Sequence, residues 1–135
     1  MICGESPNPT TEADYAAQAK TSYQRAGLSA WPFIASCQDW TTKAANVYSG
    51  PWNTPTPGPI LVVGNTFDPA TPYASSEAPA GQLADGHFLT VNGFGHTELL
   101  NPSTCAQDKI AAYLIDGTVP AAGTSCQQDK PPFSP

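Results

Sequence analysis

PILVVGNTFDPATP, residues 59–72, sets a short apolar run against a loop that opens on an aspartate and is punctuated by Pro69 and Pro72. Ile60–Val63 is β-branched or aliphatic on both faces, the pattern of a strand covered from two sides. Expected as a strand over Ile60–Gly64, it places Asp68 just past its carboxyl end. Loops at that end of an open α/β sheet reach over the sheet edge and present functional side chains. An aspartate ahead of Pro69 equally suits an Asx turn, in which the carboxylate accepts from backbone N–H groups a few residues on. The residue type alone therefore fits two roles.

Downstream the pattern repeats. A helix is expected from about Tyr73 to Ala84, although Pro79 interrupts it, then a strand over His87–Val91 and a helix over Thr104–Ile115. This βαβα order implies parallel strands joined by right-handed crossovers. His96 follows the second strand inside VNGFGHTELL, residues 91–100, where Gly93 and Gly95 permit a tight turn and close backbone approach. Asp68 and His96 thus emerge side by side from adjacent strand ends. A carboxylate bonded to one imidazole nitrogen fixes the tautomer and steadies the imidazolium, leaving the other nitrogen to take a proton from a serine. As a bland alternative, His96 is a structural histidine. His87, after Asp85-Gly86, has no partner in the pattern and is expected at the surface. Asp68, His96 and Glu98 include residue types that bind divalent metals, but no helical His-x-x-x-His spacing supports a metal centre, and no cofactor is expected.

Upstream, SGPWNTPTPGP, residues 49–59, is so rich in proline and glycine that neither helix nor strand continues through it. Before it, residues 11–26 combine good helix formers with acidic residues at the front, Lys20 and Arg25 toward the back, and Gly27 as a stop. Tyr15, Ala19, Ser22 and Tyr23 form the modest apolar stripe of that helix. A shorter helix is expected over Trp31–Thr42. Trp31, Trp40 and Trp52 read as packing residues rather than a ligand groove. The tail after Ile115 is proline-rich and is expected to be held by Cys126 alone. Two parallel strands with free outer edges make a marginal sheet, so the chain reads as a piece of a larger one.

With 11 Asp+Glu against 5 Lys+Arg, the formal charge of −6 repels phosphate backbones and anionic lipid surfaces, which makes nucleic acid and membranes poor partners. The longest aliphatic run is far too short to span a bilayer. Cys3, Cys37, Cys105 and Cys126 never approach a Cys-x-x-Cys spacing, which disfavours a zinc ribbon or dithiol motif. Their even number suits disulfides in an oxidising, extracellular setting. Four cysteines permit three pairings and sequence alone does not choose; Cys3 with Cys37 and Cys105 with Cys126 is the expectation taken forward.

The serine that an Asp–His pair would serve is missing: no serine in the sequence sits in a Gly-x-Ser-x-Gly elbow. At this point PILVVGNTFDPATP, LTVNGFGHTELL, CAQDKIAAYLIDGTVPAAGTSC and the opening ICGES resemble the C-terminal region of TAP-like (tripeptidyl aminopeptidase-like) serine hydrolases of the α/β-hydrolase superfamily. The resemblance implies an α/β fold, the C-terminal part of an α/β-hydrolase, with a short parallel sheet and flanking helices preceded by a helical segment. Residues 1–50 would be that segment, the return from the helical cap, and residues 51–135 the βαβα portion. It further implies Asp68 as triad acid, His96 as triad base, and the four cysteines at the family's disulfide positions. The implied partners are a peptide or small ester substrate and an N-terminal hydrolase half carrying the nucleophile, in a secreted enzyme that cleaves tripeptides from free N-termini. Without elbow and oxyanion loop, these residues alone are expected to be inactive. The alternative is a non-catalytic, disulfide-stapled secreted module that binds another protein along its free strand edge.

Overall fold

The structure is a computed structural model that describes residues 2–6, 8–30, 37 and 39–133. It divides into two compact units, residues 1–49 and 50–135.

In the first unit, helix α1 spans Ile2–Glu5 and α2 spans Glu12–Ala26, followed by a 3₁₀ turn over Gly27–Ala30. Thr11 starts α2. Its Oγ1 accepts from the Asp14 N–H at 3.2 Å and donates to Asp14 Oδ2 at 2.7 Å, so one side chain satisfies an orphan amide and ties down an acidic residue in the first turn. Gly27, at φ 56°, ends the helix and donates its N–H to the Tyr23 carbonyl. The buried stripe is narrower than expected: Tyr15 is buried, but Tyr23 is 58% exposed. A disulfide joins Cys3 to Cys37. The helix expected over Trp31–Thr42 lies mostly outside the described residues, and from Asp39 to Ser49 the chain is turn, bend and irregular backbone rather than helix.

The second unit is built on a three-stranded sheet in the order β1-β2-β3, with β1 at Ile60–Phe67, β2 at Gly86–Phe94 and β3 at Ser125–Gln127. Both strand pairs are parallel. Helix α3, Tyr73–Gln82, joins β1 to β2, and α4, Thr104–Asp116, joins β2 to β3. Alternate side chains of a strand face opposite ways. Leu89 and Val91 are fully buried with Ala106 of α4 and Cys126 of β3, and Leu61 and Val63 pack against them. On the other face, Phe88 meets the Tyr73 ring edge-on at 5.4 Å, and the Tyr73 hydroxyl lies 2.8 Å from Thr90 Oγ1.

Three expectations need correction. Both long strands run further than their apolar segments, to Phe67 and Phe94, because polar residues continue the ladder: the register shifts after Asn65, and Thr66 Oγ1 accepts from the Gly93 N–H at 3.2 Å. The tail is not held by Cys126 alone. Residues 125–127 form β3 beside Thr90–Asn92, and the Cys105–Cys126 disulfide pins that strand to α4. Finally, Ile60–Val63 is only partly buried, since β1 forms an edge of the sheet.

Candidate active site

Parallel register sets the site. With Asn65 opposite Val91 and Phe67 opposite Phe94, the two strands end level, and the loops that follow leave the same rim. Gly95 takes φ 110° and Thr97 φ 60°, so two left-handed steps flank His96 and fold its loop back toward β1. Asn65, 2% exposed, supports the turn from below by donating its side-chain N–H to the Gly95 carbonyl at 3.1 Å.

Asp68 and His96 meet there. The imidazole Nδ1 lies 3.0 Å from Asp68 Oδ1 and 3.1 Å from Oδ2. The same carboxylate accepts from the N–H groups of Ala70 and Thr71, both at 2.8 Å, from the Thr71 hydroxyl at 2.8 Å and from the Thr97 N–H at 3.0 Å. The two readings of Asp68 are therefore compatible: it closes an Asx-type turn and holds an imidazole with the same two oxygens. Desolvation pushes its pKa up, because the side chain is only 3% exposed, but the bonds from Thr71, Thr97 and Ala70 together outweigh that and hold the carboxyl well below the usual carboxylate range. Asp68 is thus an anion at any ordinary pH. The His96 ring is 45% exposed, and among the described residues its Nε2 has no hydrogen-bond partner. Such an arrangement can accept a proton at Nε2 and stabilise the resulting cation through Nδ1.

The remaining candidates fall elsewhere. His87 is not partnerless: its Nε2 lies 2.9 Å from Asp85 Oδ1 at the start of β2, the opposite end of that strand from His96. Glu98 accepts from the Ser103 N–H at 3.4 Å, and among the described residues no group of three or more His, Cys, Asp or Glu is placed to hold a metal ion. Trp40 and Trp52 are 54% and 51% exposed, and Trp31 lies outside the described residues. Beside the Asp68–His96 pair, Phe67 and Phe94 stack with ring centroids 4.6 Å apart. Residue patterns gave no notice of Asn65, Thr71 or Thr97. Of these only Thr71 was findable, as a hydroxyl three residues beyond an aspartate in a turn.

Comparison with known proteins agrees with this architecture. A family model described as TAP-like protein matches residues 16–126. The serine protease Hip1 of Mycobacterium tuberculosis is 37% identical over 95 residues, covering 69% of this chain and 18% of that protein. Carboxylesterase B of the same species is 30% identical over 135 residues, covering 92% of this chain and 25% of that protein. The chain thus spans about a fifth to a quarter of the length of these relatives. It carries two disulfides, and among the described residues no helix is long and apolar enough to cross a membrane. A match over most of the sequence, on a parallel sheet with flanking helices, places the chain in the TAP-like family of serine hydrolases and peptidases, as the C-terminal part of an α/β-hydrolase fold.

Proposed function

We propose that this chain supplies the acid and the base of a Ser-His-Asp triad in a secreted peptidase of the tripeptidyl aminopeptidase type. One observation carries the reading: a carboxylate 3% exposed is bonded to Nδ1 of a 45% exposed imidazole whose Nε2 has no hydrogen-bond partner among the described residues. His96 Nε2 would take the proton from a serine hydroxyl as its oxygen attacks the scissile carbonyl, then return it to the departing amine. Asp68 stays ionised throughout and steadies the imidazolium. The serine would come from a Gly-x-Ser-x-Gly elbow, which these 135 residues do not contain. A free peptide N-terminus is the substrate feature suggested by family resemblance, and the Hip1 and carboxylesterase relatives support peptide and ester bonds as the classes to test.

The test pairs this chain with a segment that carries the elbow, fused or mixed, and follows hydrolysis of a chromogenic ester and of a tripeptide amide. Hydrolysis that depends on His96 supports the reading, and activity indifferent to His96→Ala removes it. A second reading, a non-catalytic binding module, is favoured by the apolar strand β1 at the sheet edge, where backbone groups are available to pair with another protein. Stable capture of a partner strand, with hydrolysis never restored by any elbow-bearing segment, would decide for it.

A further inference from the structure

Two side-chain amides hold the His96 loop from behind. Gln128 follows β3 directly, and its own N–H donates to the Asn92 carbonyl at 3.1 Å. Its side chain then extends the ladder past the end of the strand. Oε1 accepts from the Phe94 N–H at 3.0 Å, and Nε2 donates to the Phe94 carbonyl at 3.4 Å. The same Nε2 lies 3.5 Å from Asn101 Oδ1. Asn101 in turn donates through Nδ2 to the carbonyls of His96, at 3.3 Å, and Thr97, at 2.9 Å. A continuous run of amides thus connects the tail to the backbone on either side of the imidazole.

The glycines of this loop make room for that run. A Cβ on Gly93 would come within 2.9 Å of the Gln128 Cβ, and one on Gly95 would overlap the Asn101 side chain. Gln128 is itself anchored by its neighbours. Ser103 Oγ donates to the Gln127 carbonyl at 2.6 Å, the Asp129 N–H donates to the Pro102 carbonyl at 3.0 Å, and the Asp129 carboxylate accepts from the Thr104 N–H at 3.0 and 3.1 Å. The imidazole needs such support: it is nearly half exposed, and among the described residues its ring bonds to Asp68 alone. Beyond those bonds its position is set by its backbone, and a displacement near 1 Å is enough to cost a reaction about a hundredfold.

We propose that Gln128, acting through Phe94 and Asn101, is a positioning residue for His96, keeping Nδ1 against Asp68 and Nε2 unbonded. This rests on the triad reading of that pair. The experiment uses the whole 135-residue chain with ¹⁵N-labelled histidine and measures, by NMR, the exchange of the His96 Nδ1–H with water. Gln128→Ala is expected to speed that exchange by about tenfold or more, as the loop opens locally without global unfolding. Gln128→Glu keeps an acceptor for the Phe94 N–H but loses both donations, so it should fall between. Thr124→Ala, which removes a hydroxyl bonded to the Ala121 carbonyl in the turn before β3, should loosen that turn and leave His96 exchange at the wild-type rate.

Asn101→Ala breaks the same run while leaving the bonds of Gln128 to Asn92 and Phe94 in place. It should speed exchange likewise, which keeps the question answerable if Gln128→Ala does not fold. Exchange at the wild-type rate in folded Gln128→Ala or Asn101→Ala overturns the positioning role and leaves the triad reading standing. A wild-type chain whose Nδ1–H shows no protection overturns both.

Discussion

Asp68 grips the His96 loop at two successive residues: both carboxylate oxygens reach the His96 Nδ1, at 3.0 and 3.1 Å, and Oδ2 also accepts from the Thr97 N–H at 3.0 Å. One anion bonds to both the ring and the backbone. That double hold separates this aspartate from one that merely closes a turn, because substituting it disturbs the imidazole and the loop bearing it together.

Asp68→Asn tests the chemical half of that hold. An asparagine amide keeps nearly the same shape but presents an N–H where Nδ1–H needs an acceptor, which favours the wrong imidazole tautomer. In a hydrolase completed with an elbow-bearing segment, kcat should fall by on the order of 10³ to 10⁴ with little change in KM. His96→Ala should be at least as severe. Steady-state hydrolysis of a chromogenic ester checks both, and a loss under about tenfold for Asp68→Asn would contradict the assigned role.

The pH dependence of stability follows from the same carboxylate. Its folded pKa lies well below the unfolded value, near 3.9, so its contribution is fully present above that value and is lost as pH falls toward the folded pKa. One linked proton corresponds to a slope of about 1.4 kcal/mol per pH unit. Urea melts of wild type and Asp68→Asn should run parallel above about pH 5 and diverge below about pH 4, with the wild type steeper by up to that slope. Asp116, lowered by its side-chain and backbone hydrogen bonds from Thr118, acts equally in both chains and drops out of the difference. Parallel curves down to pH 2.5 would show that the carboxylate is not held as an anion.

The pair was legible in the sequence because its logic is local: an apolar strand, then an acid; a second strand, then a glycine-flanked histidine. The parallel order of strands brings the two ends together without further information. The residues that tune the pair were not legible. Thr97 contributes a backbone N–H that any residue but proline supplies, and Asn101 and Gln128 act on backbone groups through contacts that no periodicity marks. β3 escaped for a related reason, since three residues are too few for alternation to register, and Cys126 read as a staple rather than as part of a strand. The polar ends of β1 and β2 were missed because a strand was read as ending where its apolar residues end, whereas Asn65 and Thr66 stay in the ladder by bonding to the glycine loop.

Two neighbouring positions should respond with opposite sign. Thr97 sits at φ 60° with a branched Cβ, a left-handed conformation that costs roughly 1–2 kcal/mol, so Thr97→Gly should stabilise by up to about 1 kcal/mol while keeping the N–H that Asp68 accepts. Gly95 sits at φ 110° with its Cβ position filled by the Asn101 amide, so Gly95→Ala should destabilise by about 1–3 kcal/mol and move the His96 carbonyl. Thermal melts report both. The assignment of strain fails if Thr97→Gly destabilises by more than about 1 kcal/mol.

The Cys105–Cys126 bridge should matter more to the tail than to the sheet. Cys126 is 2% exposed in the same core as Leu89, Val91 and Ala106, and β3 has only three residues with which to hold its place beside Thr90–Asn92. In the chain-entropy account, closing this loop stabilises by roughly 3 kcal/mol. The double substitution Cys105→Ala with Cys126→Ala leaves Cys3–Cys37 intact and removes that constraint. Stability in urea should drop by roughly 3 kcal/mol. Amide exchange should quicken first at Gln128, whose N–H bonds to the Asn92 carbonyl, while Val62–Asn65 and Phe88–Val91, paired between β1 and β2, stay protected. Loss of protection at β1 and β2 in step with Gln128 would mean that the bridge secures the whole sheet, and that β3 is no separate clasp on the loop that presents His96.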